Sequence, residues 1–360
     1  MQEIYSNTSK NIAKKKVALL MSGGVDSSYS AYLLQQKYEV FGIYLKLHSN
    51  EKKHKFFISK CQKVAKNLGI DFHIIDLQDA FKQKVYDYFV RSYKNAQTPN
   101  PCAMCNPNIK FGLALEYAIS LGADFISSGH YARIAHINGR NYIREAHDKG
   151  KDQSYFLFGI SQFAKDRLIF PLGEMLKEQV KKEAFAAMPW FGELEEYRDS
   201  QEICFVEKSY IDTIANEVEV AKQGIIRDKN GNAIGTHKGY MQYTIGKRKG
   251  LDIPLSQSAQ FVVEINAKDN ELIVGDKADL LRTEIIAESL EACGLSDLDE
   301  GEYNIKIRYK SAPVKARLKF SGAKIHARVE NGVFGVANGQ GLVVYRDDVV
   351  MGGGFIIESR

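Results

Sequence analysis

The run Lys16-Val17-Ala18-Leu19-Leu20-Met21 passes directly into Ser22-Gly23-Gly24-Val25-Asp26-Ser27-Ser28, and this junction constrains the fold more than any other part of the chain. A short apolar run of this kind reads as a buried strand. The residues that follow, Tyr29 to Gln36, carry Leu and Ala at helical spacing. Strand, glycine turn and helix in immediate succession form the opening of an α/β unit. Such a turn aims the unpaired N–H groups of the helix's first turn, and the positive end of its dipole, at one point. That point is a cradle for phosphate.

The residues around the glycines narrow the choice. A P-loop requires Gly-x4-Gly-Lys-Ser/Thr, and no lysine stands at that place. Ser-Gly-Gly-Val-Asp-Ser-Ser instead resembles the pyrophosphate loop of the ATP pyrophosphatases. Members of that superfamily cut ATP between its α and β phosphates and adenylate a carbonyl oxygen. The resemblance makes Leu20, Met21, Ser22, Gly23, Gly24, Val25, Asp26, Ser27 and Ser28 the expected ATP-binding residues. Asp26 is the candidate magnesium ligand, since carboxylates beside phosphates often hold that ion. The bland alternative is an ordinary glycine turn after a buried strand.

With 360 residues the chain is long enough for two or three domains. Its 49 Lys and Arg against 44 Asp and Glu give a net charge of +5, too mild a tilt to argue for nucleic acid alone. The five cysteines are odd in number and irregularly spaced, which fits reduced thiols in a cytoplasmic protein. Lys14-Lys15-Lys16 precedes an apolar run too short for a signal peptide, and nothing approaches the length of a membrane span. The expectation is a soluble cytoplasmic protein.

Residues 1–206 alternate short apolar strands (Val17–Met21, Val40–Leu45, Phe72–Asp76, Phe125–Ser128) with helical stretches such as Phe57–Leu68 and Phe111–Leu121. Alternation of this kind predicts a doubly wound parallel sheet, with ligands gathered beyond the carboxyl ends of its strands. Met21, Ser22, Lys46 and Ser128-Gly129-His130 are therefore expected to face one crevice. Residues 207–279 form a smaller central domain, rich in Gly and Lys. Residues 280–360 carry alternating segments separated by Gly, Asn and Asp, the pattern of an antiparallel barrel or sandwich.

Thr98-Pro99-Asn100-Pro101-Cys102-Ala103-Met104-Cys105-Asn106 is the second notable site. Prolines on either side of Asn100 disfavour helix, so a constrained loop is expected. The Cys-x-x-Cys pair is half of a zinc site, a redox pair, or one or two nucleophiles. Cys204 lies where the α/β pattern ends; taken alone it reads as a core cysteine. Cys61 and Cys293 sit on apolar faces and read as structural.

Six motifs occur in a fixed order. They are the Ser22–Ser28 loop, Asn100-Pro101-Cys102-x-x-Cys105-Asn106, Gly129-His130-Tyr131-Ala132-Arg133, Lys151-Asp152-Gln153-Ser154-Tyr155-Phe156-Leu157, Asp199-Ser200-Gln201-Glu202-Ile203-Cys204-Phe205 and Tyr243-Thr244-Ile245-Gly246-Lys247-Arg248-Lys249-Gly250-Leu251. Together they are similar to the bacterial tRNA-specific 2-thiouridylase family, from about residue 16 to the end. That resemblance implies an adenine nucleotide alpha hydrolase-like catalytic domain and an enzyme that replaces the C2 oxygen of the wobble uridine with sulfur. The oxygen is a poor leaving group, and adenylation with loss of pyrophosphate makes it a good one. By the same resemblance Cys204 carries a persulfide and Cys105 is the partner nucleophile, the two resolving to a Cys105–Cys204 disulfide. A cysteine desulfurase or sulfur-relay carrier is the implied sulfur source.

Many relatives carry Asp where this chain has Cys102, so its role is left open. Cys102, Cys105 and Cys204 together are also a candidate iron–sulfur site, as three thiolates with an open position would be. Leu45 and Gly129 are the further ATP contacts the family implies. His130, Lys151, Asp152, Gln153, Arg308, Tyr309 and Gln340 are the implied tRNA contacts. The run from Ile305 to Arg328, with eight Lys or Arg and no acid, would attract phosphates. Two rival readings remain at this level. A small-molecule amide synthetase leaves the thiols without a use, and a non-catalytic RNA- or metal-binding module leaves the loop without one.

Overall fold

The computed structural model describes residues 14–192, 203–253, 259–289 and 298–360. Strands β1 (Lys16–Leu20), β2 (Glu39–Lys46), β3 (Asp71–Asp76) and β4 (Phe125–Ser128) are followed by a hairpin, β5 (Ala132–Ile137) and β6 (Arg140–Glu145), and by β7 (Leu168–Ile169). Five of them form a parallel sheet in the order β3-β2-β1-β4-β7. The central strands β1 and β2 carry unbroken buried runs because both of their faces are covered, whereas the edge strand β3 stays partly exposed. Ala18, Leu20, Phe41 and Ile43 pack against Phe111, Ala114 and Leu115 on one side. Val17, Leu19, Val40 and Tyr44 meet the helices α1 (Val25–Gln35) and α2 (Glu51–Leu68) through Ala31, Leu34, Cys61 and Val64 on the other. The chain steps from β1 out to β3 and then returns to the opposite side of β1 with β4. The order therefore reverses between β1 and β4, where a doubly wound sheet opens a crevice.

Helix α2 begins six residues before the apolar period does. The Asn50 side chain caps it by accepting from the Lys53 N–H, and Gly69 ends it at φ 65°. The central segment builds a four-stranded sheet from β8 (Gly224–Arg227), β9 (Ala233–His237), β10 (Phe261–Asn266) and β11 (Glu271–Gly275), in the order β10-β11-β8-β9.

The last six strands are β12 (Leu281–Ser289), β13 (Gly301–Lys306), β14 (Val314–Ser321), β15 (Lys324–Phe334), β16 (Gly341–Arg346) and β17 (Val349–Ser359). They close as an antiparallel barrel because β12 pairs with both β15 and β17. Ile285, Ile305, Leu318, Ile325, Leu342, Val344 and Ile356 fill its interior. The β5–β6 hairpin leaves the parallel sheet and adds to this barrel, Arg144 opposite Val349 and Ile143 opposite Val350. Among the described residues no helix is long and apolar enough to cross a membrane.

Charges fasten that junction. Asp348 accepts from Arg144 Nε at 2.7 Å and from Arg133 Nη2 at 3.0 Å, while Lys306 Nζ reaches Glu145 at 3.1 Å. Partial burial works against the Asp348 charge, but Arg144, Lys149 and Arg133 outweigh it and hold the carboxyl below the ordinary range. The Asp348→Asn variant should lose about 1–2 kcal/mol at pH 7 in denaturant unfolding. A carboxyl whose folded pKa is depressed contributes stability above its unfolded value, about 3.9, and loses it as pH falls through the folded value. The gap to wild type should therefore be full at about pH 5 and shrink below about pH 4. Equal stability of the two proteins at pH 7 would refute this account.

Candidate active site at the carboxyl ends of the parallel strands

Gly23 turns the chain at φ 75°, a region open mainly to glycine, and a Cβ there would stand 2.8 Å from Lys60 Cβ. Gly24 precedes α1 in an extended conformation, and no side chain caps the helix. Ser27 and Ser28 instead turn their hydroxyls back onto the Gly24 carbonyl, at 3.1 and 2.9 Å. The Ser22 N–H donates to Ser27 Oγ at 3.2 Å, which closes the loop on itself. From β4, Gly129 comes so near that a Cβ on it would lie 3.0 Å from both Asp26 Cβ and Ser27 N. A cavity of about 850 Å³ opens in front of the two loops. Leu20, Met21, Ser22, Gly23, Gly24, Asp26, Ser27, Leu45, Ser128, Gly129 and His130 line it. Val25 and Ser28 face the interior instead, fully buried.

Lys46 is not in that crevice. It turns outward to Glu51 at 2.9 Å and Asp76 at 3.5 Å, because those acids sit at the neighbouring helix start and strand end. Asp26 also differs from expectation. Both of its oxygens accept from Lys177 Nζ at 2.7 Å, and Tyr131 Oη donates to Oδ1 at 2.9 Å. Lys177 is only 5% exposed and lies over the Tyr131 ring, so the pair is fixed from behind the cradle. A carboxylate already neutralised this way does not offer a dedicated magnesium site. Among the described residues no group of three or more His, Cys, Asp or Glu is placed to hold a metal, and this includes the three thiols considered for an iron–sulfur cluster.

The Cys-x-x-Cys segment is helical rather than a loop: Pro101–Cys105 forms an α-helix. Proline is well tolerated at a first helical position, where its missing N–H costs nothing, and the Asn100 side chain accepts from the Ala103 N–H. The pair thus starts a helix, the geometry a redox dithiol would also use. Cys61, Cys102, Cys105 and Cys204 are free thiols; Cys293 and Asp199–Glu202 lie outside the described residues.

Cys204 lines the crevice and is exposed at its mouth, yet enough protein surrounds it that desolvation pushes its thiol up. Cys102 is half-buried and also raised by burial. Cys105 does not reach the crevice. It is buried with Phe81, Val85 and Ile109, and burial pushes its thiol up to about 12. Phe205 packs over this cluster, with its ring 5.5 Å from that of Phe81 and 5.1 Å from that of Phe89. The strap carrying Cys204 is held to the start of α2. Lys53 Nζ donates to the Cys204 carbonyl at 2.9 Å, and the Asn50 amide donates to Glu207 at 2.6 Å.

The expected RNA contacts divide. His130 lies in the crevice with Nδ1 2.7 Å from Ser128 Oγ, and burial, reinforced by Lys110, holds its pKa well below the ordinary value. Gln153 joins it and accepts from the Tyr131 N–H. Lys151 is half-buried on the turn preceding Gln153, its own N–H donating to the Asp148 carbonyl. Asp152 turns inward to Ala146 and Ser154. Arg308 donates to the Ile245 carbonyl at 3.2 Å, and Tyr309 packs 4.5 Å from the Phe156 ring. Gln340 donates to the carbonyls of Thr98 and Pro99 at 3.0 and 3.1 Å, tying the barrel to the thiol helix. Of the basic run, Lys306 and Arg308 point inward, whereas Lys315, Arg317, Lys319, Lys324 and Arg328 stand exposed on β14 and β15. Sequence reading missed Lys177, Lys53, Phe205 and Lys110. Each is a single residue of common type with no local pattern; only Phe205 adjoins a motif cysteine.

These features define a nucleotide-binding α/β domain of the pyrophosphate-loop class, joined to a small central sheet and a β-barrel. Residues 15–208 match the model of the tRNA methyl transferase HUP domain, 211–276 that of the tRNA methyl transferase PRC-barrel domain, and 282–356 that of the aminomethyltransferase beta-barrel domain. The tRNA-specific 2-thiouridylase MnmA of Helicobacter hepaticus is 51% identical over 349 residues, covering 96% of this chain and 100% of the relative. Its counterpart in Helicobacter pylori is 52% identical over 95% of this chain and 100% of the relative. That of Nitratiruptor is 44% identical over 95% and 99%. The chain belongs to the tRNA-specific 2-thiouridylase family of enzymes.

Phe205 packs against the cluster that holds Cys105, so its ring is expected to help shield that thiol from solvent. In Phe205→Ala, Cys105 should alkylate with iodoacetamide at least about tenfold faster, because a smaller local opening exposes it. Cys61, buried elsewhere, should remain as slow as in wild type by peptide mass spectrometry. Unchanged Cys105 labelling would show that another element shields it.

Proposed function

We propose that the protein carries out ATP-dependent 2-thiolation of the wobble uridine of tRNA. The uridine C2 oxygen attacks the α-phosphate of ATP, pyrophosphate leaves into the Ser22–Ser28 cradle, and C2 is left bearing an O-adenylate as its leaving group. A persulfide on Cys204 then attacks C2 with its terminal sulfur. The Cys105 thiolate attacks the Cys204 sulfur, so that a Cys105–Cys204 disulfide forms, the terminal sulfur stays on C2 and AMP departs with the former oxygen. An external thiol reductant must return the two electrons before the next cycle. A cysteine desulfurase or sulfur-relay carrier supplies the persulfide.

One observation carries this reading: Cys204 lines the same cavity as the Ser22–Ser27 loop, Gly129 and His130. A sulfur on that thiol and a nucleotide in that cradle would meet in a single chamber. In this proposal Leu45 packs on adenine, His130, Lys151 and Gln153 meet the target region of the tRNA, and the exposed cations of β14 and β15 draw its backbone. Arg308, Tyr309 and Gln340 hold the barrel in register with the crevice, and Asp152 orders the turn that presents Gln153. Magnesium enters with the nucleotide rather than on a protein cage, and Cys102 has no assigned step. The divisions after residues 206 and 279 belong to the same proposal.

The test is nucleoside mass spectrometry of tRNA incubated with the protein, Mg-ATP and a persulfide source. Wild type should yield 2-thiouridine, and Cys204→Ser and Cys105→Ser should each reduce it by at least about a hundredfold, as expected for loss of a nucleophile. If both variants thiolate normally, the assignment of the thiols is wrong. Turnover of ATP to AMP and pyrophosphate without 2-thiouridine would keep the nucleotide site and discard the sulfur chemistry.

A further inference from the structure

The helix of Pro101–Cys105 runs on into a π-helical segment, Asn106–Leu113, and wide turns of this type recur at functional sites. A π turn brings residues five apart into line, so Lys110 lies on the same side as Cys105. Lys110 also forms part of the crevice wall, together with His130 and Cys204. It is half-buried, and among the described residues its side chain makes no ion pair or hydrogen bond. A cation held in a protein wall without a carboxylate is poised for an anion that forms there.

We propose that Lys110 is the residue that activates the sulfur chemistry of this site, its ammonium group facing whichever thiolate or persulfide anion the reaction generates. Its charge acts on all three thiols. Burial raises Cys102, Cys105 and Cys204, and Lys110 is the largest opposing influence on each. Other neighbours do not replace it. Cys102 and Cys204 face Cys105 and oppose its ionisation, and Cys204 does the same to Cys102. Lys53 assists only at Cys204. His130 is kept neutral by burial and by Lys110 itself, so it supplies no second charge. The step is a simple ionisation. The thiol proton passes to water and the electron pair stays on sulfur opposite the ammonium.

The assignment deepens the thiolation reading but its test does not need that reaction. The measurement is the pH dependence of iodoacetamide alkylation at Cys204, followed by peptide mass spectrometry in wild type, Lys110→Met and Lys110→Arg. Cys61, whose thiol burial alone pushes up to about 12, serves as internal reference. In Lys110→Met the Cys204 titration should move to higher pH, with alkylation about tenfold slower at pH 7.5 for each unit moved. Lys110→Arg should restore most of the rate, and Cys61 should not change. A Lys110→Met protein that melts like wild type and titrates like wild type overturns the proposal. So does one that loses thiolation with Cys204 titrating normally, since Lys110 would then serve phosphate or RNA. A shifted titration in a protein that never thiolates tRNA supports the role of Lys110 and defeats the thiolation reading alone.

Discussion

The approach of Gly129 to the first turn of α1 is the contact on which the site depends. Strands β1 and β4 are neighbours at the point where strand order reverses, so the loops leaving them must share one small volume. A Cβ at 129 would stand 3.0 Å from Asp26 and Ser27, so the two loops would have to yield by a few tenths of an ångström. With glycine there, the serine hydroxyls of α1 fold back onto Gly24, and Ser128 and His130 stand beside the cradle. Lys177 then secures the arrangement from behind by taking both oxygens of Asp26. An acid at the start of a helix is already favoured by the dipole. Pairing it with a buried lysine leaves the N–H groups of the turn, rather than the carboxylate, as the groups that would meet phosphate in the proposed nucleotide site.

The second constraint is how the barrel is seated. The turn at Asn338–Gln340 accepts the Thr98 N–H at 2.8 Å and returns two donors from Gln340 to Thr98 and Pro99. Tyr88 hydrogen-bonds both Gly339 and Asn100, and Tyr155 reaches Gly341. The residues immediately before the thiol helix are therefore held by the far end of the chain. Together with the β5–β6 hairpin, which donates two strands to the barrel's sheet, this makes the C-terminal unit a part of the site's frame. Its exposed cations are not all available as charge. Arg317 and Arg328 lie opposite one another, and the pair is bracketed by Glu302 and Glu284 in the adjacent strands, so two like charges are offset by an acid on either side.

Much of this was legible in the chain. The strand, glycine turn and helix at residues 16–36 carry their own local physics, and a parallel strand buried on both faces must be apolar throughout. Barrel strands are legible for the opposite reason, alternating because only one face is buried. The helix at Pro101 was misread because proline's cost depends on position: it breaks a helix interior but suits a first turn, and only Asn100 acting as cap decides between them. Lys46 was placed in the crevice by strand arithmetic, which says where a backbone ends but not which acids stand beside a flexible side chain. Lys177 and Lys110 could not be found from spacing. Their roles come from long-range packing, 151 residues apart in the case of Asp26 and Lys177.

The unequal burial of the two principal thiols agrees with the order of events proposed for them. In the proposed cycle a carrier protein would reach Cys204 from outside, and Cys204 is an exposed thiol. In the same cycle Cys105 would act only after sulfur has bonded to uridine, since an accessible Cys105 would attack the persulfide early and discharge it as a disulfide. Phe205 connects the two requirements because it is the next residue after Cys204 and covers the cluster holding Cys105. Beyond Phe205, the strap is held by Lys53 and Asn50 at the surface and by Val206, which is buried with Phe89 and Tyr93. In the proposed cycle, Cys105 would become reactive only where that packing opens. The charge of Lys110 acts on both thiols against burial, in the direction that favours their ionised forms.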